Sequence, residues 1–155
     1  MEKEARIQQF LNRIRFDDLS VEYLEKLVAM ARDEDLCGAG LKQPPVNGGD
    51  VSSRVLDHRG KGNATLRARE ALVICGLPIV PIVLRAYSED LKFTALKMDG
   101  DPVASGEALG QIEGPARELL MAERVLLNFI QSLSGVASQT AKYVQALADS
   151  PTRLL

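Results

Sequence analysis

The chain has 155 residues, of which 46% are hydrophobic, and a formal net charge of −2. This length allows one packed domain, or one small domain and part of another. The charge gives no overall attraction for nucleic acid, and two cysteines with one histidine argue against a cysteine- and histidine-rich metal site.

The sequence shows neither a secretory signal nor a membrane-spanning stretch. The first residues are charged, no long apolar run follows them, and no apolar stretch reaches the length that crosses a bilayer. The two cysteines, Cys37 and Cys75, are interpreted as reduced thiols. These features predict a cytoplasmic protein that binds neither nucleic acid nor a membrane.

Two amphipathic helices are predicted near the N-terminus. Residues 1–18 are interpreted as a helical arm that packs on a partner or on its own domain, with one apolar face formed by Ile7, Phe10, Leu11 and Ile14. Ser20 is a suitable N-cap for the second helix, and Glu22 lies in its first turn. Its apolar face is formed by Tyr23, Leu24, Leu27, Val28 and Ala31, and an acidic segment at residues 32–35 ends it.

Residues 37–49 are rich in glycine and proline, which predicts a loop. Glycine-rich loops can cradle a phosphate group. Neither a P-loop nor a dinucleotide-binding pattern is present, however, so a structural loop is favoured.

The middle of the chain alternates between strand and helix patterns. Strands are predicted at residues 63–70, 71–76 and 91–98, the second of these being a strand or a turn, and a further turn and strand are predicted within residues 103–113. A helix beginning at Pro78 is predicted within residues 77–87, and a turn at residues 99–101. This order predicts a small mixed sheet crossed by one helix and flanked by others, which is an α+β pattern.

The longest apolar run begins at Gly114 and Pro115 and extends to residue 137. It predicts a long helix whose core positions are Leu119, Leu120, Leu126, Leu127, Ile130, Leu133 and Val136. Gly135 is expected to kink or break this helix, and a shorter helix follows through Leu147. Residues 152–155 resemble the start of a strand without a partner, so we expect the natural sequence to continue further.

Polar residues inside this apolar run need partners or a function. They are Glu123, Arg124, Asn128 and Ser134. Arg124 lies between two apolar positions, and its rigid guanidinium suits a carboxylate or a phosphate; the alternative is an ordinary surface ion. Asn128 and the Ser134-Gly135 pair are interpreted as structural.

Other polar residues give no clear catalytic set. No combination of nucleophile, base and acid is recognisable. His58 lies in a charged loop and is interpreted as solvated. Asp99 and Asp101 flank a glycine, which favours a tight turn over metal binding.

The order of several short motifs is more specific than any one of them. The motifs are Glu-Asp-Leu at residues 34–36, Gly-Asp-Val-Ser-Ser at 49–53, Ala-Arg-Glu at 68–70, Gly-Leu-Pro at 76–78, Asp-Gly-Asp-Pro-Val at 99–103, Gly-Pro-Ala-Arg at 114–117, Ala-Glu-Arg at 122–124 and Leu-Ser-Gly-Val-Ala at 133–137. From about residue 20 to the end, the chain resembles the N-terminal half of the quinolinate phosphoribosyltransferase family. Residues 114–137 carry the most specific part of the resemblance.

The resemblance implies a fold and an activity. The family's α+β N-terminal domain is a hammerhead-like sandwich followed by an incomplete α/β barrel, and its dimers place one subunit's N-terminal domain over the partner's barrel mouth. The division implied here is an arm at residues 1–18, the N-terminal domain at 19–113, and connecting helices with the start of a barrel at 114–155.

The family transfers a phosphoribosyl group from phosphoribosyl pyrophosphate to quinolinate. Nicotinate mononucleotide, pyrophosphate and carbon dioxide are formed, a step of NAD synthesis, and Mg²⁺ accompanies the pyrophosphate. The arginine of the Glu-Arg motif contacts quinolinate in the neighbouring subunit's site, and this role falls on Arg124.

The chain also departs from the family pattern. The barrel motif Asp-Thr-Arg-Lys-Thr would begin beyond residue 155, so no catalytic residue is assigned within this chain and we expect the chain alone to be inactive. Ser52 stands where the family commonly has threonine, and the loop at residues 37–48 is longer than usual.

Two other functions stay open at this point. The chain could be a non-catalytic binding or dimer-assembly module related to the same domain. A biotin- or lipoyl-carrier domain is less well supported, because Lys97-Met98 before the Asp-Gly turn lacks the setting of a modified lysine.

Overall fold

The computed structural model describes residues 14–45, 60–148 and 150. Four sequence predictions therefore lie outside the described residues: most of the N-terminal arm, the motif at residues 49–53, His58 and the strand at residues 152–155. The described part of the arm contains a short 3₁₀ helix, Phe16–Asp18.

Three α-helices are present in the described chain: α1 spans Val21–Cys37, α2 spans Val80–Arg85 and α3 spans Ala116–Leu147. A 3₁₀ turn, Leu77–Ile79, leads into α2. The Ser20 side chain accepts a hydrogen bond from the Tyr23 amide at 3.3 Å, which confirms the predicted N-cap. Helix α1 continues past the acidic segment and ends where Gly38 adopts a φ of 66°.

Five strands form two small sheets in the described chain. They are β1 (Lys61–Arg67), β2 (Leu72–Val73), β3 (Lys92–Ala95), β4 (Pro102–Val103) and β5 (Ala108–Pro115). One sheet has the order β1-β5-β3 and the other pairs β2 with β4. The α+β class is confirmed.

The prediction of a mixed sheet is wrong for the described strands, because all three strand pairs are antiparallel. A parallel pair requires a long crossover connection within one sheet. The only described α-helix between strands is α2, which connects β2 to β3, and these strands belong to different sheets.

One apolar core joins both sheets and all three helices. Helix α3 packs against β1, β2 and β5 as well as against α1 and α2. The side chains that are almost fully buried include Val28, Ile74, Val80, Val83 and Leu84. Helix α2 packs against α1, α3 and β3, and four of its six residues are therefore buried.

Helix α3 differs from the sequence prediction in continuity and in orientation. It runs without interruption through Gly135, so the predicted break and separate second helix are wrong. Leu120, Leu133 and Val136 are 40%, 39% and 68% exposed, whereas the buried positions are Ala122, Val125, Leu126, Ile130 and Ser134. Because leucines occur on several sides of the helix, their spacing alone does not predict which face packs against the strands.

Two serines attach α3 to the backbone at and just after β2. The Ser134 hydroxyl accepts from the Cys75 amide at 3.1 Å and donates to the Cys75 carbonyl at 3.2 Å. Ser138 makes the same pair of contacts with Val73, at 2.9 and 3.4 Å. Four helical residues rise about 6 Å and two extended residues about 6.6 Å, so the two serines match Val73 of β2 and Cys75, two residues beyond it.

This match predicts the effect of removing one hydroxyl. Ser134 is 3% exposed, so Ser134→Ala leaves the Cys75 backbone groups without this partner. The free energy of unfolding should fall by about 1–3 kcal/mol in urea denaturation. Ser132→Ala is the control, because Ser132 is exposed on the same helix; its effect should stay within about 0.5 kcal/mol. Equal effects of both changes would contradict this role of Ser134.

Candidate functional site

Arg124 lies in the third turn of α3, on the side that faces α1. Its Nη1 atom donates to Oδ1 of Asp35 at 2.6 Å. The Arg124 side chain is 75% exposed, whereas the Asp35 side chain is only 14% exposed. The ion pair therefore joins a nearly buried carboxylate to a guanidinium that remains largely accessible.

This pair lies in an open groove between α1 and α3, with a volume of about 560 Å³. We call it the α1–α3 groove; its lining residues are Ala31, Glu34, Asp35, Arg124, Val125, Asn128, Phe129, Ser132 and Leu133. Arg124, Asn128 and Ser132 follow each other at four-residue intervals, which places them one above another on the helix. The groove thus offers one cation and two neutral polar side chains along one wall.

The guanidinium retains hydrogen-bonding capacity. Among the described residues, Arg124 bonds to Asp35 alone and uses a single nitrogen. A guanidinium has five N–H donors in a planar fork and binds a carboxylate with two parallel hydrogen bonds. The edge formed by Nε and Nη2 is therefore available to such a ligand.

The end of α1 carries a second ion pair that does not involve Arg124. Arg32 bonds to Asp33 at 2.8 Å and donates to the Ala86 carbonyl at 2.8 Å. This contact fixes the last turns of α1 to the end of α2. Asp35 therefore lies in a helical turn that is anchored to the end of α2.

The Asp99 and Asp101 carboxylates both accept backbone hydrogen bonds, Asp101 within the predicted turn and Asp99 from the segment between β2 and α2. Asp99 accepts from the amides of Gly76 and Leu77 at 2.8 and 2.9 Å, and Asp101 accepts from the Met98 amide at 2.9 Å. Burial, and then the negative charge of Asp99, raise the pKa of the Cys75 thiol above its ordinary value. Within residues 14–45 and 60–148, no three His, Cys, Asp or Glu side chains are grouped so that they could hold a metal ion.

A second cavity of about 550 Å³ lies between β1 and α3. Its lining is mainly apolar and includes Leu66, Ile112 and Leu126, with Arg69 and Glu123 among its polar residues. Arg124 does not line it. Of the two cavities, the α1–α3 groove is the one that contains the residue predicted to bind substrate.

The carrier-domain alternative is not supported at Lys97. Its ammonium forms an ion pair with Glu107, and this hydrogen bond, with one from the Ala104 amide, holds the pKa of Glu107 below its ordinary value. The Lys97 side chain is 27% exposed. A lysine that receives a prosthetic group would need a free, accessible ammonium.

Asp35 is the site residue that the sequence did not reveal. It belongs to the Glu-Asp-Leu motif, but no role followed from that motif. A signal was present: Leu24, Val28, Ala31 and Asp35 continue one face of α1 at four- and three-residue intervals. A carboxylate that continues an apolar face needs a partner.

Comparisons with known proteins identify the family of this chain. A family model described as quinolinate phosphoribosyl transferase, N-terminal domain, matches residues 50–134, which is more than half of the chain and includes Arg124. The chain belongs to this family. The match covers all five described strands, α2 and the first part of α3, and thus the whole two-sheet framework.

Similar curated proteins carry the corresponding names. A probable carboxylating nicotinate-nucleotide pyrophosphorylase from Synechocystis is 36% identical over 107 residues, which are 69% of this chain and 36% of that protein. The relative of the same name from Bacillus subtilis is 32% identical over 106 residues, 68% of this chain and 37% of that protein. The chain therefore spans little more than a third of the length of these relatives.

Solved structures of family members show the same fold. The crystal structure of NadC from Streptococcus pyogenes matches with a TM-score of 0.74 at 36% identity, covering 86% of this chain and 44% of that one. The nicotinate-nucleotide pyrophosphorylase from Francisella tularensis matches with a TM-score of 0.75 at 25% identity, covering 89% of this chain and 46% of that one.

In the described part of the chain, no helix is long and apolar enough to cross a membrane.

Proposed function

We propose that this chain is the N-terminal domain of an enzyme that transfers phosphoribosyl from phosphoribosyl pyrophosphate to quinolinate. The observation that carries the proposal is the family match over residues 50–134, which includes Arg124 in the α1–α3 groove. In this reaction the quinolinate nitrogen bonds to the ribose C1′ atom as pyrophosphate leaves. Loss of the 2-carboxylate as carbon dioxide, with protonation of that carbon, then gives nicotinate mononucleotide.

Arg124 is proposed to bind a carboxylate of quinolinate in the active site of a neighbouring subunit. Three features support this role: the side chain is 75% exposed, one guanidinium edge is unpartnered among the described residues, and the fork matches a carboxylate. A held carboxylate keeps the ring nitrogen in line with C1′, which is the positional contribution to catalysis. The proposed assembly is a homodimer, and the domain division at residues 18/19 and 113/114 remains part of this proposal.

Mg²⁺ belongs to the family reaction with phosphoribosyl pyrophosphate. The described residues of this chain do not provide a carboxylate, histidine or cysteine cluster that fits the ion. No step of the proposal therefore passes through a metal held by this domain. A cytoplasmic location is likewise a proposal, since relatives from rice and Arabidopsis are named as chloroplastic and tobacco relatives as mitochondrial.

The proposal assigns the phosphate-binding residues to the barrel, so it predicts that this chain alone has no activity. The 155-residue polypeptide alone should form no nicotinate mononucleotide from quinolinate and phosphoribosyl pyrophosphate, because the proposed phosphate-binding residues belong to the barrel. The same domain joined to a family barrel should form it, measured by mass spectrometry of the product. Turnover by the isolated polypeptide would contradict the proposal, and a folded but inactive joined protein would favour a non-catalytic assembly module.

A further inference from the structure

We propose that Asp35 is the positioning residue of Arg124. By holding one guanidinium nitrogen, it keeps the opposite edge of the guanidinium free and oriented for a carboxylate of the pyridine substrate. This inference rests on the proposed function. It adds a residue of α1 to a site that the sequence placed on α3 alone.

In this ion pair Asp35 is nearly buried, whereas Arg124 remains accessible to a ligand. Asp35 is 14% exposed and Arg124 is 75% exposed, at an Nη1–Oδ1 distance of 2.6 Å. An exposed arginine without such a contact would sample many side-chain conformations, and fixing it on ligand binding has an entropic cost. The contact with Asp35 meets part of that cost before the ligand arrives.

The position of Asp35 within α1 indicates a role other than helix stability. It lies in the last turn, where the helix dipole disfavours a negative charge, and no basic residue is present in that turn. Asp33 nearby has Arg32 as its partner. The compensating charge for Asp35 comes from Arg124, which is 89 residues away in the sequence.

Tyr87 follows α2 and lies within the electrostatic influence of Asp35. Its hydroxyl is buried and has no hydrogen-bond partner among the described residues. Burial, followed by the negative charge of Asp35, raises the pKa of Tyr87 to about 12. The Asp35 charge thus acts on a second buried polar group besides Arg124, at the end of α2.

The test uses Asp35→Ala in a complete enzyme that carries this chain as its N-terminal domain. The KM for quinolinate should rise about tenfold, while the KM for phosphoribosyl pyrophosphate stays within about twofold. Asp33→Ala is the matched control, because it removes an acid from the end of the same helix without touching Arg124. In an Arg124→Ala background, Asp35→Ala should have no further effect on quinolinate, since its role acts through Arg124.

A second measurement does not depend on activity. Nitrogen-15 NMR of the 155-residue chain should show slow rotation of the Arg124 guanidinium in the native sequence and in Asp33→Ala, and faster rotation in Asp35→Ala. A complete enzyme that does not use quinolinate would contradict the proposed function, while the NMR result would still decide whether Asp35 restrains Arg124. A lower quinolinate KM in Asp35→Ala, or additive effects of Asp35→Ala and Arg124→Ala, would overturn the inference.

Discussion

Arg124→Ala should raise the KM for quinolinate about 100-fold in a complete enzyme carrying this domain. The magnitude follows from losing two charge-assisted hydrogen bonds to a carboxylate, discounted for partial solvent exposure, at about 1.4 kcal/mol for each factor of ten. The KM for phosphoribosyl pyrophosphate should change less than about threefold, because the proposed function assigns the pyrophosphate to the barrel and not to Arg124. Initial-rate kinetics with each substrate varied in turn give both constants.

Two further variants make this result specific. Arg124→Lys should recover part of the loss, to about tenfold above the native KM, because an ammonium is a point charge and lacks the planar fork. Lys142→Ala is the charge-matched control: it removes one exposed cation from the same helix and should leave both constants unchanged. Equal increases in both KM values for Arg124→Ala would contradict a quinolinate-specific contact.

Asp99→Ala should lower the free energy of unfolding by about 2–3 kcal/mol. The Asp99 carboxylate accepts from the amides of Gly76 and Leu77, at 2.8 and 2.9 Å, and both of these residues are buried. Removing the carboxylate leaves two amides unsatisfied where the chain turns from β2 into α2. Bulk water does not readily replace it, because the two amides belong to buried residues.

Urea denaturation measures this change, with Asp101→Ala as the control. Asp101 belongs to the same turn, but it accepts one hydrogen bond, from the exposed Met98. Its replacement should cost no more than about 1 kcal/mol. Asp99→Asn should lie close to Asp99→Ala, because an amide side chain presents one acceptor and one donor to two N–H groups. Similar losses for Asp99→Ala and Asp101→Ala would contradict the assigned role.

Local signals in the sequence predicted local features of the fold correctly. Ser20 was identified as an N-cap because capping depends on neighbouring residues, and β1 and β3 followed from alternation. The buried face of α3 was predicted only in part: Leu126 and Ile130 are buried as expected, whereas Leu120, Leu133 and Val136 are exposed. Leucines occupy several sides of the helix, so their spacing did not single out one face. Hydrogen bonds to Cys75 and Val73 turn Ser134 and Ser138 toward β2, a tertiary contact that the local sequence does not specify.

Of the Arg124–Asp35 pair, the sequence predicted only Arg124, for a similar reason. Arg124 is conspicuous as a cation within an apolar run, whereas Asp35 depends on how α1 and α3 pack. Nothing local to residue 124 specifies a partner 89 positions earlier. Likewise, α3 continues through Gly135, and Ser134 and Ser138 on either side of this glycine attach the helix to Cys75 and Val73, contacts that no local pattern indicates.

The most direct test of the proposed activity is the choice of acceptor by a complete enzyme carrying this domain. With phosphoribosyl pyrophosphate and quinolinate, it should release nicotinate mononucleotide, carbon dioxide and pyrophosphate in equal amounts; with nicotinate in place of quinolinate, product formation should be negligible. A folded enzyme that uses nicotinate in preference to quinolinate, or that releases pyrophosphate without carbon dioxide, would contradict the assignment.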